Sequence, residues 1–172
     1  FDENAEKKID GGFDAIIGNP PWERPIIEAK EFFSVRSPKI ANTNTAIRKK
    51  LIKKLEKTNP ALVNEYIEEK KNADQQIKYL KDSGKFQLSA TGDINFYAIF
   101  LELARNNLRK NGRCGLIVPT GIITDLTYQK FSNELISSSS LAACHDFVNT
   151  RKIFKDVTSN MRFSLVFLRN SD

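Results

Sequence analysis

Two cysteines and one histidine are all the thiol and imidazole that 172 residues carry. A structural zinc site takes about four such ligands, so the sequence argues against a metal centre. Cys114 and Cys144 both sit in apolar, strand-like runs and read as core residues of a reducing compartment. His145, alone after a cysteine, reads as a packed or surface residue. No apolar run approaches the roughly 20 residues that cross a bilayer, so no membrane partner is expected. No secretory signal opens the chain, and the expected location is cytoplasmic. Nor does one sign of charge dominate: 27 Lys and Arg face 21 Asp and Glu, a net of +6. That excess permits a nucleic-acid partner without demanding one. Opening on Phe1 and not Met, the sequence is expected to be a piece of a longer polypeptide. Glu28-Ala29-Lys30 has the Glu-x-Lys spacing of some nucleases, but no acidic residue on a matching strand precedes it, and it supports no nuclease reading.

What the chain does have is a stiff, unusual loop. Residues 13–17 (Phe-Asp-Ala-Ile-Ile) read as a short buried strand, bounded by Gly11-Gly12 and Gly18. Asn19-Pro20-Pro21-Trp22 follows. Consecutive prolines forbid both strand pairing and helix continuation, and each holds its predecessor extended. An amide and an aromatic ring are thus set at fixed separation at the carboxyl end of a strand, where ligands bind in open α/β sheets.

The rest of the chain alternates. Residues 1–10 read as a polar lead-in, and 23–37 as irregular, with Pro25 and Pro38 as markers. Residues 45–57 form an amphipathic helix with Ile47, Leu51, Ile52 and Leu55 on one face. Its Arg48, Lys49, Lys50, Lys53, Lys54 and Lys57 are either a solvated face or a phosphate-contact surface. Pro60 can start a second helix to about residue 81. The two helices look like an insertion, at about 39–84, into a larger α/β unit. Asp93 is a good N-cap for a broadly apolar helix over 94–110, which should pack on a sheet. A buried strand at 113–118 comes next, then a helix capped by Thr124 and ending near 136. Strands at 141–148 and 163–168 close the chain. Strands joined through helices should run parallel and the last should turn antiparallel. The expected fold class is therefore α/β, an open and mostly parallel sheet with one antiparallel strand and a helical insertion.

The segment from Phe13 to Trp22 resembles the catalytic motif of adenine-specific DNA methyltransferases that use S-adenosylmethionine. The resemblance continues through Gly92-Asp93-Ile94-Asn95-Phe96-Tyr97, Gly115-Leu116-Ile117-Val118-Pro119-Thr120 and Ile153-Phe154, to Phe163-Ser164-Leu165-Val166-Phe167-Leu168. It covers nearly the whole chain, in order, and is nearest to the large single-chain, type IIG-like restriction–modification enzymes. It implies a Rossmann-like methyltransferase sheet and transfer of a methyl group to the exocyclic amine of adenine. Asn19 and the Pro20 carbonyl would accept from that amine, with Pro21 stiffening the loop. Trp22 and Phe154 would stack on a base flipped out of double-stranded DNA; Phe147 and Phe163 are nearby alternatives to Phe154. Asp93, Asn95 and Phe100 match a region that lines the cofactor pocket in relatives. No Pro-Cys pair of the ring-carbon cytosine enzymes occurs.

One departure weighs against full activity. Members of that family carry a glycine-rich Phe-x-Gly-x-Gly loop upstream of the motif, and only 18 residues precede Asn19 here. An acidic ribose-binding residue is missing too. Residues 1–172 are therefore expected to be the C-terminal part of a catalytic domain, inactive alone and completed by the remainder of the parent polypeptide. The first strand would lie at a sheet edge. Two other readings stand beside this one: methylation of a protein glutamine, whose amide nitrogen is also conjugated, and a non-catalytic DNA-binding fragment in which the motif is a relic.

Overall fold

A computed structural model describes residues 11–170; the predicted lead-in at 1–10 lies outside them. The chain forms two compact units, one from the N-terminal segment to Arg24 together with 83 onward, the other Pro25–Asp82.

The first unit is built on a four-stranded sheet: β1 (Phe13–Gly18), β2 (Leu108–Pro119), β3 (Leu141–Val148) and β4 (Arg162–Arg169), in spatial order β1-β2-β4-β3. β1 and β2 are parallel, and β4 runs antiparallel to both its neighbours, β2 and β3. Three strands thus point one way and the last the other. This is the expected partial Rossmann-like α/β sheet, with the final strand inserted between the two before it. Helix α5 (Phe96–Asn106) lies against one face. So does α7 (Gln129–Ser137), which a helical turn α6 (Gly121–Thr124) and a 3₁₀ turn (Leu126–Tyr128) precede. The core gathers Tyr97, Leu101, Leu116, Val118, Phe131 and Val166.

Several elements depart from the sequence reading. The apolar helix stops at Asn106, not 110, because Leu108 enters β2 opposite Phe13. Registry then jumps to Ala15 opposite Arg113. The excess residues form a bulge in which Asn111 takes a left-handed φ of 63° and Asn170 bonds both edges. Gly12 faces this bulge at φ 125°; a Cβ there would lie 2.6 Å from the Arg109 nitrogen, so only glycine fits. Asp93 is not the helix cap: Asn95 holds that position, without a side-chain cap bond. Thr124 ends α6 and caps nothing, since the 3₁₀ turn intervenes before α7. β1 is not buried. It pairs on one side only among the described residues, leaving Phe13 61% and Ile17 88% exposed. Cys144 is exposed as well, because β3 is the other edge; Cys114 is buried, and burial pushes its thiol up to about 11.

A buried carboxylate ties the first unit together. Glu102 on α5 accepts from the backbone N–H groups of Leu88 and Ser89 and from the Ser89 hydroxyl, at 3.2, 2.8 and 2.5 Å.

The second unit is helical: α1 (Ala29–Arg36), the turn α2 (Pro38–Ala41), α3 (Thr45–Thr58) and α4 (Pro60–Asp82). Asn44 and Asn59 cap α3 and α4 by accepting from Ile47 and Leu62. α1 replaces the irregular stretch expected at 23–37. Eight residues are too few to hold a helix by propensity. Packing holds it: Phe32 and Phe33 meet Tyr66, and Arg36 lies over the Phe32 ring and pairs with Glu65 and Glu69. No helix among the described residues is long and apolar enough to cross a membrane.

Candidate active site

At the carboxyl end of β1 the chain passes from Gly18 into Asn19-Pro20-Pro21-Trp22. Asn19 is exposed, Pro20 buried and Trp22 half-buried. The indole Nε1 of Trp22 donates to the Ile117 carbonyl of β2 at 3.2 Å. Beyond it, Phe96 N–H donates to the Glu23 carbonyl and Arg24 pairs with Asp93 at 2.8 Å. The pairing of Gly18 with Leu116 in the sheet holds one end of the loop, these three ties hold the other, and the two prolines stiffen what lies between.

The loop walls two hollows. The smaller, about 430 Å³, is bounded by Asn19, Pro20, Pro21, Trp22, Phe154 and Val157. Its size is within the range of small-molecule sites. The larger, about 720 Å³, runs along the open side of β1 and shares Asn19, Pro20 and Pro21, with Phe100 and Leu103 of α5 opposite.

Of the aromatic candidates, Phe154 alone lines the smaller hollow with Trp22. Its ring meets Trp22 at 5.4 Å between centroids, with the planes 63° apart. The two rings already touch edge to face, so no base lies between them as they stand; one parallel to either ring would meet the other edge-on. Phe163, buried in β4, touches both rings from behind, and Phe147 stacks on Phe163 at 5.5 Å.

Phe154 is held by a residue that the sequence reading missed. Asn149 is completely buried. Its Nδ2 donates to the carbonyls of Phe154 and Val157 at 2.9 and 3.0 Å, and its Oδ1 accepts from Phe154 N–H at 3.1 Å. One amide thus closes the loop that carries the ring, turning it through Lys152 at a left-handed φ of 49°. A lone asparagine after a strand has no distinguishing neighbours in sequence, so no pattern marked it.

A second polar knot sits where β2 ends. The hydroxyls of Thr120 and Ser164, both buried, donate to Asp146 Oδ1 at 2.9 and 2.5 Å, and Arg162 donates to Oδ2. The Ser164 hydroxyl, then that of Thr120, holds the Asp146 carboxyl below its ordinary 3.8. A depressed folded value means that Asp146 stabilises fully above the ordinary value and that this contribution is lost as pH falls through the lower one. Urea midpoints of the Asp146→Asn variant should therefore fall less steeply than wild type below about pH 4. An unchanged acid profile would remove Asp146 as a stabilising group.

The cofactor candidates separate. Phe100 lines the larger hollow; Asp93 and Asn95 do not. Asp93 is occupied by Arg24, and the Asn95 amide donates to the Tyr128 hydroxyl at 3.0 Å. S-adenosylmethionine carries a sulfonium, a ribose diol and a carboxylate, which need polar or charged partners when enclosed. Apart from Asn19 and Asn107 the larger hollow is lined by apolar side chains and glycine. The described residues do not fit the whole cofactor. Nor do any three His, Cys, Asp or Glu among them converge to hold a metal.

A family model described as Eco57I restriction-modification methylase matches residues 59–154, more than half of the chain; the match begins after the Asn19–Trp22 loop and ends on Phe154. No curated protein matches. Among solved structures, one titled "cryoEM structure DrdV-DNA complex" is similar with a TM-score of 0.46 at 19% identity, over 94% of this chain and 14% of that one.

Proposed function

The chain belongs to the Eco57I restriction-modification methylase family, and from that membership we propose that it forms the base-holding part of a DNA methyltransferase acting on the exocyclic amine of adenine. The observation that carries the reading is the shared boundary of the smaller hollow: exposed Asn19, the Pro20-Pro21 pair and the aromatic residues Trp22 and Phe154 line one space.

The chemistry follows from the target. The adenine amine is a poor nucleophile because its lone pair is delocalised into the ring. Two acceptors aimed at its hydrogens, Asn19 Oδ1 and the Pro20 carbonyl, localise that pair on nitrogen. Proline keeps its carbonyl while lacking a donor of its own, and the rigid Pro20-Pro21 pair keeps both acceptors at set positions, so orientation is the chain's main catalytic contribution. Flipping the base costs a few kcal/mol, and stacking returns roughly 1–3 kcal/mol per base. Trp22 supplies the stacking face and Phe154 the edge contact. S-adenosylmethionine supplies the methyl group. Phe100 is the one cofactor-side residue that we assign to the larger hollow; the rest of that site, like the cover for β1, is assigned to the remainder of the parent polypeptide, and the 172 residues alone do not transfer methyl groups.

The full-length protein, given unmethylated duplex DNA and S-adenosylmethionine with a labelled methyl group, should place the label on the N6 of deoxyadenosine in digested DNA. Label on cytosine, label on a glutamine-bearing protein offered in its place, or no label at all would each overturn the reading.

A further inference from the structure

The second unit, Pro25–Asp82, carries 13 Lys and Arg against eight Asp and Glu, so it holds most of the chain's positive excess. That excess is concentrated on α3. Leu51, Ile52 and Leu55 turn its inner face onto the Phe32–Phe33 cluster. Arg48 also faces inward, its guanidinium donating to the Ala41 carbonyl. On the opposite face Lys50, Lys53 and Lys57 stand at i, i+3 and i+7 and form one ridge, flanked by Lys49 and Lys54; all five are exposed. At 1.5 Å per residue the ridge is about 10 Å long.

Two features separate this ridge from an ordinary solvated face. Among the described residues none of the five lysines is in an ion pair, whereas the acidic Glu65 and Glu69 of α4 are taken by Arg36. α4 interleaves Glu and Lys; α3 has Glu56 as its lone acid. Like charges three and four residues apart destabilise a helix by a few tenths of a kcal/mol each, a cost that a polyanion would remove. Between Lys50 and Lys57 the ridge holds no aromatic or bulky aliphatic side chain, and half-exposed Ile47, one turn before it, is far short of the apolar face that a helix lying on a lipid surface requires.

We propose that the Lys50–Lys53–Lys57 ridge of α3 is a phosphate-contact surface for duplex DNA. It rests on the reading that the protein acts on DNA, and it adds which surface grips the backbone. Its contribution is independent of base sequence and steep in salt, because each neutralised phosphate releases counterions.

The test is binding of a fluorescent duplex of arbitrary sequence to the full-length protein, followed by anisotropy between about 50 and 300 mM NaCl. K50Q/K53Q/K57Q should flatten the slope of log affinity against log salt by about 2–3. K50R/K53R/K57R should keep the wild-type slope, and K78Q/K81Q, near the far end of α4, should leave it unchanged. Glutamine keeps helix propensity and relieves repulsion, so the neutral variant should retain wild-type circular dichroism. Wild-type protein that fails to bind duplex DNA would overturn both this inference and the DNA reading. Wild-type binding with an unchanged slope in K50Q/K53Q/K57Q would overturn the ridge alone.

Discussion

Replacing Asn19 with alanine in the full-length protein should lower methyl transfer to duplex DNA by about 10²–10³-fold, the loss typical when one preorganised polar group is removed from a reacting centre. Asn19 is exposed at the wall of the smaller hollow, so truncation leaves no buried partner unpaired and stability should hardly change. DNA affinity should also persist, because backbone contacts supply most of it. The loss should therefore appear in the single-turnover rate with the dissociation constant nearly constant. Asn19→Asp keeps an acceptor oxygen and should recover part of the rate. Wild-type rates in Asn19→Ala would show that the amide does not touch the reacting amine.

The second large effect is expected at Asn149, which touches no substrate in this scheme. Alanine there strips three good hydrogen bonds from a fully buried position, leaving the Val157 carbonyl and the Phe154 N–H without these partners, while the Phe154 carbonyl keeps only the Val157 N–H at 3.2 Å. At about 1–3 kcal/mol per buried unsatisfied group, partly relieved by water, the variant should lose about 2–4 kcal/mol in urea unfolding. It should also slow methyl transfer, because the Phe154 ring is no longer fixed against Trp22. Since stability alone could reduce activity, the cycle with Phe154→Ala discriminates. Once the ring is gone, adding Asn149→Ala should cost little further rate at a temperature where both variants are folded. Fully additive losses would show that Asn149 acts apart from Phe154.

The parts legible in the sequence share a physical signature. β1, β3 and β4 are short, largely apolar runs between turn residues, and their direction follows from whether a helix joins them. The Asn19–Trp22 loop declares itself because proline restricts the backbone whatever surrounds it. What escaped depends on contacts distant in sequence. α1 exists because Arg36 and the Phe32–Phe33 pair find α4; from within its own eight residues, between two prolines, it looks irregular. Leu108 continues the helical periodicity of α5 but is claimed by β1 through the strand ladder, so the helix ends early. Asn149 gains its role from a loop that folds back on it, and local composition carries no trace of that.

One consequence of β1's position concerns handling the chain by itself. Among the described residues β1 is paired on one side only, with Phe13 and Ile17 largely uncovered, and its free side offers backbone N–H and C=O groups beside apolar side chains. That is a template for another strand of the same sequence. Edge-to-edge pairing between copies would extend the sheet across molecules, so concentrated preparations of these 172 residues are prone to aggregate through the very edge that leads into the Asn19 loop.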